Sequence, residues 1–261
     1  MSSSTSAGPA PTPLPGWATQ EQAHAPPQQH HDETAPSFKR PKLRLHLQDL
    51  GHPGATRFLH AVDAPAVFAK SVQTVQRILY QEPCASIPAT RSVTLYLEDM
   101  DGVAYTKGSD LDNDHKEIHF SLKYINGIKR APEGAIGDAT GAYEIQGVLV
   151  HELVHCYQHN GRGTCPGGLI EGIADFVRLK ARLGAPHWKR NDIPQKWDQG
   201  YEKTAYFLDW LENTYGEGTV RGINEKLRSE KYVESEFWHS LFKNDVHKLW
   251  HNYVDTLKGE A

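Results

Sequence analysis

The segment His151-Glu152-Leu153-Val154-His155 constrains this chain most, because on a helix it brings two histidines and a glutamate to one metal ion. Residues four apart lie on the same face of an α-helix, so both imidazoles can point at a single ion. Glu152 then lies beside the ion, where it can take a proton from a metal-bound water. The preceding stretch, Tyr143 to Val150, is largely apolar, which favours a buried helix, and Gly161 and Gly163 are expected to close that helix.

A second helix is predicted shortly after the first, and it supplies carboxylates. Glu171 lies sixteen residues after His155 in the apolar stretch Leu169 to Val177, with Asp175 one turn further on the same face. A catalytic zinc takes three protein ligands and keeps one position open, and its histidines usually donate their second ring N–H to a carboxylate. We therefore expect one Zn²⁺ per chain on His151, His155 and Glu171, with Asp175 as the partner of one histidine.

A purely structural role for these residues is the alternative. Glu171 and Asp175 would then form a solvated helix face, and the two histidines would be satisfied by neighbouring carboxylates. We favour the metal site, because two histidines and a glutamate inside an apolar helix are costly to bury without a charge to pair with them.

The motifs around the first helix carry a family resemblance. They are Glu117-Ile118-His119-Phe120-Ser121, Gly147-Val148-Leu149, His151-Glu152-Leu153-Val154-His155, Pro166-Gly167-Gly168-Leu169-Ile170-Glu171-Gly172-Ile173-Ala174-Asp175 and Trp197-Asp198-Gln199-Gly200-Tyr201. Through them the chain, over roughly residues 42–256, resembles the plant basic secretory protein family and its fungal relatives, regarded as zinc metallopeptidases. The resemblance implies a zincin-like fold, with Glu152 as general base beside the zinc.

The same resemblance implies where a substrate would bind and what would stabilise its transition state. In a zincin-like fold an edge strand above the metal helix pairs with an extended peptide, and Ile118 to Tyr124 is the candidate, with substrate contacts at Ile118, His119 and Phe120. An interior position for that strand is the alternative. The oxyanion needs a donor besides zinc, and the candidates are Tyr201, Tyr206 and His187. We prefer Tyr201, because it belongs to a motif shared with the family; the alternative is an aromatic residue whose hydroxyl is satisfied elsewhere.

The periodicity of the remaining chain predicts an α+β fold. Residues 1–40, rich in Pro, Ser and His, are expected to be a disordered tail, and residues 41–261 a single zincin-like domain. Strands are predicted at Leu43–Leu47, Ser92–Leu97 and Glu117–Leu122, with a loop from Asp99 to His115. Helices are predicted at Ala64–Tyr80 and, after the metal helices, at Gly200–Thr214, Val220–Arg228 and Val246–Lys258. The expected architecture has a mixed sheet first, with its edge strand over the metal helix, and a mainly helical C-terminal part.

Composition excludes several classes of partner. The formal net charge of −4 argues against a nucleic-acid partner, and no apolar run approaches the roughly 20 residues of a membrane span. The first fifteen residues are too polar and proline-rich for a signal peptide, so we leave open a cytoplasmic, nuclear or unconventionally exported protein, although the relatives are secreted. Three cysteines cannot form a complete disulfide framework; Cys156 and Cys165 could pair, but free thiols are favoured in a chain without a visible signal peptide. A monomer is expected.

The function predicted from the sequence is hydrolysis of peptide bonds in a peptide or protein substrate by a zinc-activated water. Two alternatives remain. One is a defence or binding protein with little or no catalysis that keeps the zinc site, against which the presence of Glu152 argues, because a structural site needs no base. The other is a zinc hydrolase of a different amide or ester, which only the shape of the substrate pocket separates from a peptidase.

Overall fold

The computed structural model of the protein describes residues 37–84, 86–129 and 138–259. The predicted disordered tail, residues 1–40, lies outside the described residues as far as residue 36. The strands are β1 (Lys42–Leu47), β2 (Ser92–Glu98), β3 (Ala104–Gly108) and β4 (His115–Ser121). The helices are α1 (Pro53–Ala61), α2 (Ala64–Tyr80), α3 (Leu122–Gly127), α4 (Ala139–Tyr157), α5 (Gly167–Lys180), α6 (Tyr201–Tyr215), α7 (Thr219–Ser229), α8 (Glu234–Phe242) and α9 (Val246–Gly259).

The strands form one mixed sheet in the order β1-β2-β4-β3. β1, β2 and β4 are parallel, whereas β3 runs antiparallel to β4. Side chains alternate between the faces of a strand, and accordingly Val93, Leu95 and Leu97 of β2 are buried while Thr94 and Tyr96 are only half-buried. The buried face packs on α2 and α4, so the sheet supports the helix that carries the two histidines.

The fold is α+β, as predicted, and α2 has the predicted bounds. Asp63 begins α2 as its N-cap by accepting a hydrogen bond from the Ala66 backbone N–H at 3.2 Å. The expectation that strands come first and helices later holds only in part, because α1 and α2 lie between β1 and β2. That arrangement has a physical reason: two parallel neighbouring strands need a long crossover connection, which here is helical.

The predicted loop from Asp99 to His115 contains a strand, and this corrects the prediction of the sheet edge. β3 pairs with β4 from Ala104 opposite Phe120 to Gly108 opposite Lys116. β4 pairs with β2 on its other side, so both of its edges are occupied. The free edge beside the metal helix therefore belongs to β3, and β4 is an interior strand.

The prediction that Ile118, His119 and Phe120 contact the substrate is consequently wrong. Ile118 and Phe120 are fully buried in the core under the sheet. The His119 imidazole lies on the opposite face of the sheet, stacked between the rings of Tyr96 and Tyr105 at centroid distances of 4.9 and 4.5 Å. The main chain of β4 is paired on both sides, so this strand cannot add an extended peptide to the sheet.

The C-terminal part is helical, as predicted. The observed bounds of α6, α7 and α9 differ by one residue at some ends from those predicted, whereas α8 was not predicted. Aromatic side chains hold these helices together, with Trp238 packed between Trp197 and Phe207 at centroid distances of 5.2 and 6.2 Å. Among the described residues, no helix is both long enough and apolar enough to cross a bilayer. The three cysteines are unpaired.

Candidate metal centre and active site

Helix α4 forms the floor of a cleft of about 770 Å³. Asp138 begins the helix by accepting a hydrogen bond from the Gly141 N–H at 2.9 Å. The helix is buried along most of its length because it packs between the sheet and helices α2 and α5. It ends at Tyr157, a turn earlier than the glycines predicted, and Gly161 instead adopts a φ of +61° in the loop that follows.

Three side chains converge on one point in the cleft. The Nε2 atom of His151 lies 3.1 Å from Oε2 of Glu171 and 3.3 Å from Nε2 of His155, and the third separation, from His155 to Glu171, is 3.7 Å. A tetrahedral ion with bonds of about 2.0–2.1 Å holds its ligand atoms about 3.3 Å apart. The predicted ligands are thus brought together, and they form a group that could hold a metal ion.

Each histidine of this triad also has a partner for its other ring nitrogen. Asp175, on α5 one turn after Glu171, places Oδ1 at 2.6 Å from Nδ1 of His151. Nδ1 of His155 lies 2.6 Å from Nε2 of Gln158, while the buried Oε1 of Gln158 has no hydrogen-bond partner. A half-turn of the Gln158 amide would let Oε1 accept from Nδ1–H of His155. Both histidines would then present a lone pair on Nε2, as metal ligation requires.

The electrostatics of the triad also suit a cation. Burial opposes protonation of His151, but its hydrogen bonds to Asp175 and Glu171 outweigh burial and raise the pKa of His151 to about 9. Burial and the neighbouring His151 lower the pKa of His155 to about 4. Burial opposes the ionisation of Glu171, yet its hydrogen bond to His151 and the charges of both histidines lower its pKa. The single positive charge on His151 therefore lies beside the two carboxylates of Asp175 and Glu171. A divalent cation would neutralise this pair of negative charges more completely.

Glu152 lies beside the triad and is almost completely buried. Burial raises the pKa of its carboxyl, against the opposing effects of His151 and of a hydrogen bond from Thr106. The Thr106 hydroxyl lies 2.7 Å from Oε2 of Glu152. Oε1 has no hydrogen-bond partner in the described part of the chain, and Glu152 lines the cleft. The carboxylate therefore has one oxygen held and one oxygen available.

The three predicted oxyanion donors do not share one location. Tyr201 lines the cleft at the start of α6, with its ring nearly parallel to the His151 imidazole at a centroid distance of 6.1 Å. Its φ of +49° is unusual for a residue other than glycine. The charge of Glu171, with burial, raises the pKa of the Tyr201 phenol, which keeps it protonated. His187 also lines the cleft, whereas Tyr206 lies outside it against Trp188 and Arg190.

A second polar group closes the cleft two helical turns before His151. Arg178 donates from Nη2 to Oε2 of Glu144 at 2.9 Å, and the Tyr124 hydroxyl donates to Oε1 of Glu144 at 2.8 Å. The Arg178 guanidinium also stacks on the Trp188 ring, 5.1 Å from its centroid. It lies flat across α4 because Gly147 has no side chain there. This buried ion pair shapes one end of the cleft.

Sequence reasoning missed Thr106 and the Glu144–Arg178 pair. Thr106 lies in the segment interpreted as a loop, although Val103, Tyr105 and Thr106 are residue types that favour strands. Glu144 and Arg178 each lie seven residues from a metal-site residue, Glu144 before His151 and Arg178 after Glu171, so helical periodicity could have placed both on the cleft side.

Within the described ranges, strand β3 has main-chain groups without a partner along the cleft. Residue pairs of an antiparallel ladder alternate between hydrogen-bonded and non-hydrogen-bonded. Ser121 N donates to Val103 O at 2.9 Å and Ser109 N donates to His115 O at 2.7 Å, so the odd-numbered residues of β3 face β4. The peptide groups of Ala104, Thr106 and Gly108 therefore point to the free edge.

Comparison with protein families gives a match. A family model described as "BSP: Peptidase of plants and bacteria" matches residues 40–253, which include the whole cleft described above. Comparison with curated proteins and with solved structures gave no match.

Proposed function

Because this chain belongs to the BSP family, peptidases of plants and bacteria, we propose that it is a zinc-dependent peptidase. The observation that carries the proposal is the triad of His151, His155 and Glu171. Its three ligand atoms have the mutual separations of a tetrahedral site, and two nitrogens with one carboxylate oxygen are a donor set of catalytic zinc. Glu152 lies beside this triad, and a purely structural metal site would need no such general base.

In the proposed reaction the zinc ion would activate the water and the carbonyl, and Glu152 transfers the proton. Zinc at the triad would polarise the scissile carbonyl and lower the pKa of a water molecule toward about 7. Oε1 of Glu152 accepts a proton as the water oxygen forms its bond to the carbonyl carbon. The same carboxyl then gives that proton to the departing amine nitrogen as the C–N bond breaks. A buried carboxyl with a raised pKa suits this exchange, because it must both accept and release a proton.

Tyr201 is proposed to stabilise the oxyanion. Its phenol stays protonated beside Glu171 and can donate a hydrogen bond into the cleft. The loop that carries it is held by Thr204, whose hydroxyl donates to Trp197 O at 2.8 Å and accepts from Gly200 N at 2.9 Å. The left-handed backbone of Tyr201 is thereby fixed by its surroundings.

The proposed substrate is an extended peptide that pairs with β3. Main-chain pairing along Ala104, Thr106 and Gly108 gives affinity without demanding a sequence. The cleft then brings the peptide over α4, between the edge strand and Tyr201. The Glu144–Arg178 pair closes the cleft at one end, where it would contact the side chains of the peptide.

The proposal is tested by metal content and peptide hydrolysis measured together. Wild-type protein should contain one zinc per chain by elemental analysis and cleave casein or a peptide library. His155→Ala should lose the zinc, whereas Glu152→Gln should keep it and lose activity. The exposed residues His60 and Glu236 provide matched controls, since His60→Ala and Glu236→Gln should keep both. Zinc without hydrolysis of any peptide would contradict the proposed function, and so would full activity of Glu152→Gln.

A further inference from the structure

Thr106 has a side chain directed at α4 and a main chain directed at the free edge of the sheet. Its neighbours Tyr105 and Lys107 are exposed on the opposite face, whereas Thr106 is half-buried against Glu152. Its peptide group is one of the unpaired groups along the cleft. In the described part of the chain, no other residue of β3 forms a hydrogen bond to α4, so Thr106 joins the proposed peptide-binding edge to the proposed base.

The single hydroxyl proton of Thr106 has two acceptors within reach. Oε2 of Glu152 lies at 2.7 Å and the main-chain oxygen of Glu152 at 3.0 Å. The main-chain oxygen lies within the helix, where it accepts the bond from residue 156, and the carboxylate is the stronger acceptor. The Thr106 hydroxyl therefore donates its hydrogen bond to Oε2 of Glu152.

This hydroxyl is the one hydrogen-bond donor that the carboxylate of Glu152 has in the described part of the chain. Without it no hydrogen bond in the described part of the chain would fix the orientation of this carboxylate, which lies beside the triad and the cation that the triad would hold. A carboxylate that turns toward the triad would compete for the cation instead of serving as a base. The contact is therefore more than a tether between strand and helix, since it decides which oxygen faces the cleft.

We propose that Thr106 is a positioning residue, whose hydroxyl holds Oε2 of Glu152 so that Oε1 faces the cleft as the proton acceptor. The inference rests on the proposed peptidase function and adds a residue to it. A strand that aligns the scissile peptide through its main chain would thus orient the base through the same residue. Misplacement of a catalytic group by about 1 Å can cost about 100-fold in rate.

Kinetics of three variants test the role in turnover. Thr106→Val keeps the shape and removes the hydroxyl, and we expect kcat to fall about tenfold or more while KM changes less than about twofold. Thr106→Ser restores the hydroxyl and should recover most of kcat. Thr94→Val, on the outer face of β2, is the matched control and should leave kcat unchanged. Wild-type kcat in Thr106→Val with an active wild-type enzyme would overturn the inference and leave the proposed function intact.

A second readout does not depend on activity. In the full chain with excess zinc, the melting temperatures of Thr106→Val, Glu152→Ala and the double variant form a cycle. Residues in contact couple, so we expect the double variant to depart from additivity by about 3 °C. Additive shifts would overturn the inference. If the two substitutions are coupled but the wild-type protein hydrolyses no peptide, the contact is supported and the proposed function is refuted.

Discussion

Replacing Gly147 with alanine sets two free-energy contributions of opposite sign against each other. In the interior of a helix alanine is favoured over glycine by about 0.5–1 kcal/mol. The added Cβ would, however, lie 2.7 Å from Nε and Nη2 of Arg178 and 2.9 Å from its Cζ. The guanidinium would have to leave its place across α4. It would lose the bonds to Glu144 at 2.9 Å and to the Leu183 carbonyl at 2.8 Å, together with its stacking on Trp188.

The lost interactions outweigh the gain in helix propensity. The side chains of Arg178 and Glu144 are only 8% and 9% exposed, and breaking such a buried pair costs about 3–5 kcal/mol. After the helix gain, Gly147→Ala should lower the free energy of unfolding by about 2–4 kcal/mol. For a domain of this size that is a fall in melting temperature of about 5–15 °C.

Differential scanning calorimetry with a matched control measures this balance. Gly222 lies on the exposed side of α7, where an added Cβ meets nothing within 4 Å. Gly222→Ala should therefore raise the melting temperature by about 1–4 °C. An equal rise in Gly147→Ala would contradict the expected loss, because it would mean that Arg178 leaves its position at no cost.

Three further outcomes follow from the site. Asp175→Asn should weaken zinc binding about 10–100-fold in a competition with a chelator, because the carboxylate that orients His151 is lost; unchanged affinity would contradict that role. Tyr201→Phe should lower kcat about 100-fold with KM nearly unchanged in steady-state kinetics, and wild-type kcat would rule out Tyr201 as the oxyanion donor. Because hydrogen bonds to Asp175 and Glu171 raise the pKa of His151 to about 9 despite its burial, zinc should displace about one proton per ion at pH 7. Titration calorimetry in buffers of different ionisation enthalpy measures that proton, and affinity should fall as the pH falls below 9; binding without proton release would contradict the assigned protonation.

The parts of the site that depend on local geometry could be predicted from the sequence. The spacing of His151 and His155 requires only the 3.6-residue period of a helix, and the same period places Asp175 one turn after Glu171. The structure brings all four together with Glu152 and Tyr201 in one cleft. The bounds of α2 were predictable for the same reason, since its capping residue and its buried face are encoded within the segment itself.

The parts that depend on strand pairing could not be predicted. β3 is a five-residue strand inside an acidic segment. Its pairing with β4, which sets Ala104 opposite Phe120, could not be inferred from the residues of β3 alone. Because β3 was missed, the free edge of the sheet was assigned to β4, and the substrate contacts were predicted on the wrong strand. The same error concealed Thr106, because its hydrogen bond to Glu152 spans 46 residues of sequence.

The most direct test of the central claim is anomalous X-ray diffraction at the zinc absorption edge, from crystals of protein purified without chelator. We expect one strong anomalous peak per chain, about 2.0–2.2 Å from Nε2 of His151, Nε2 of His155 and Oε2 of Glu171. A peak at any other position, or none in protein supplied with zinc, would contradict the claim that this cleft is a zinc-dependent active site.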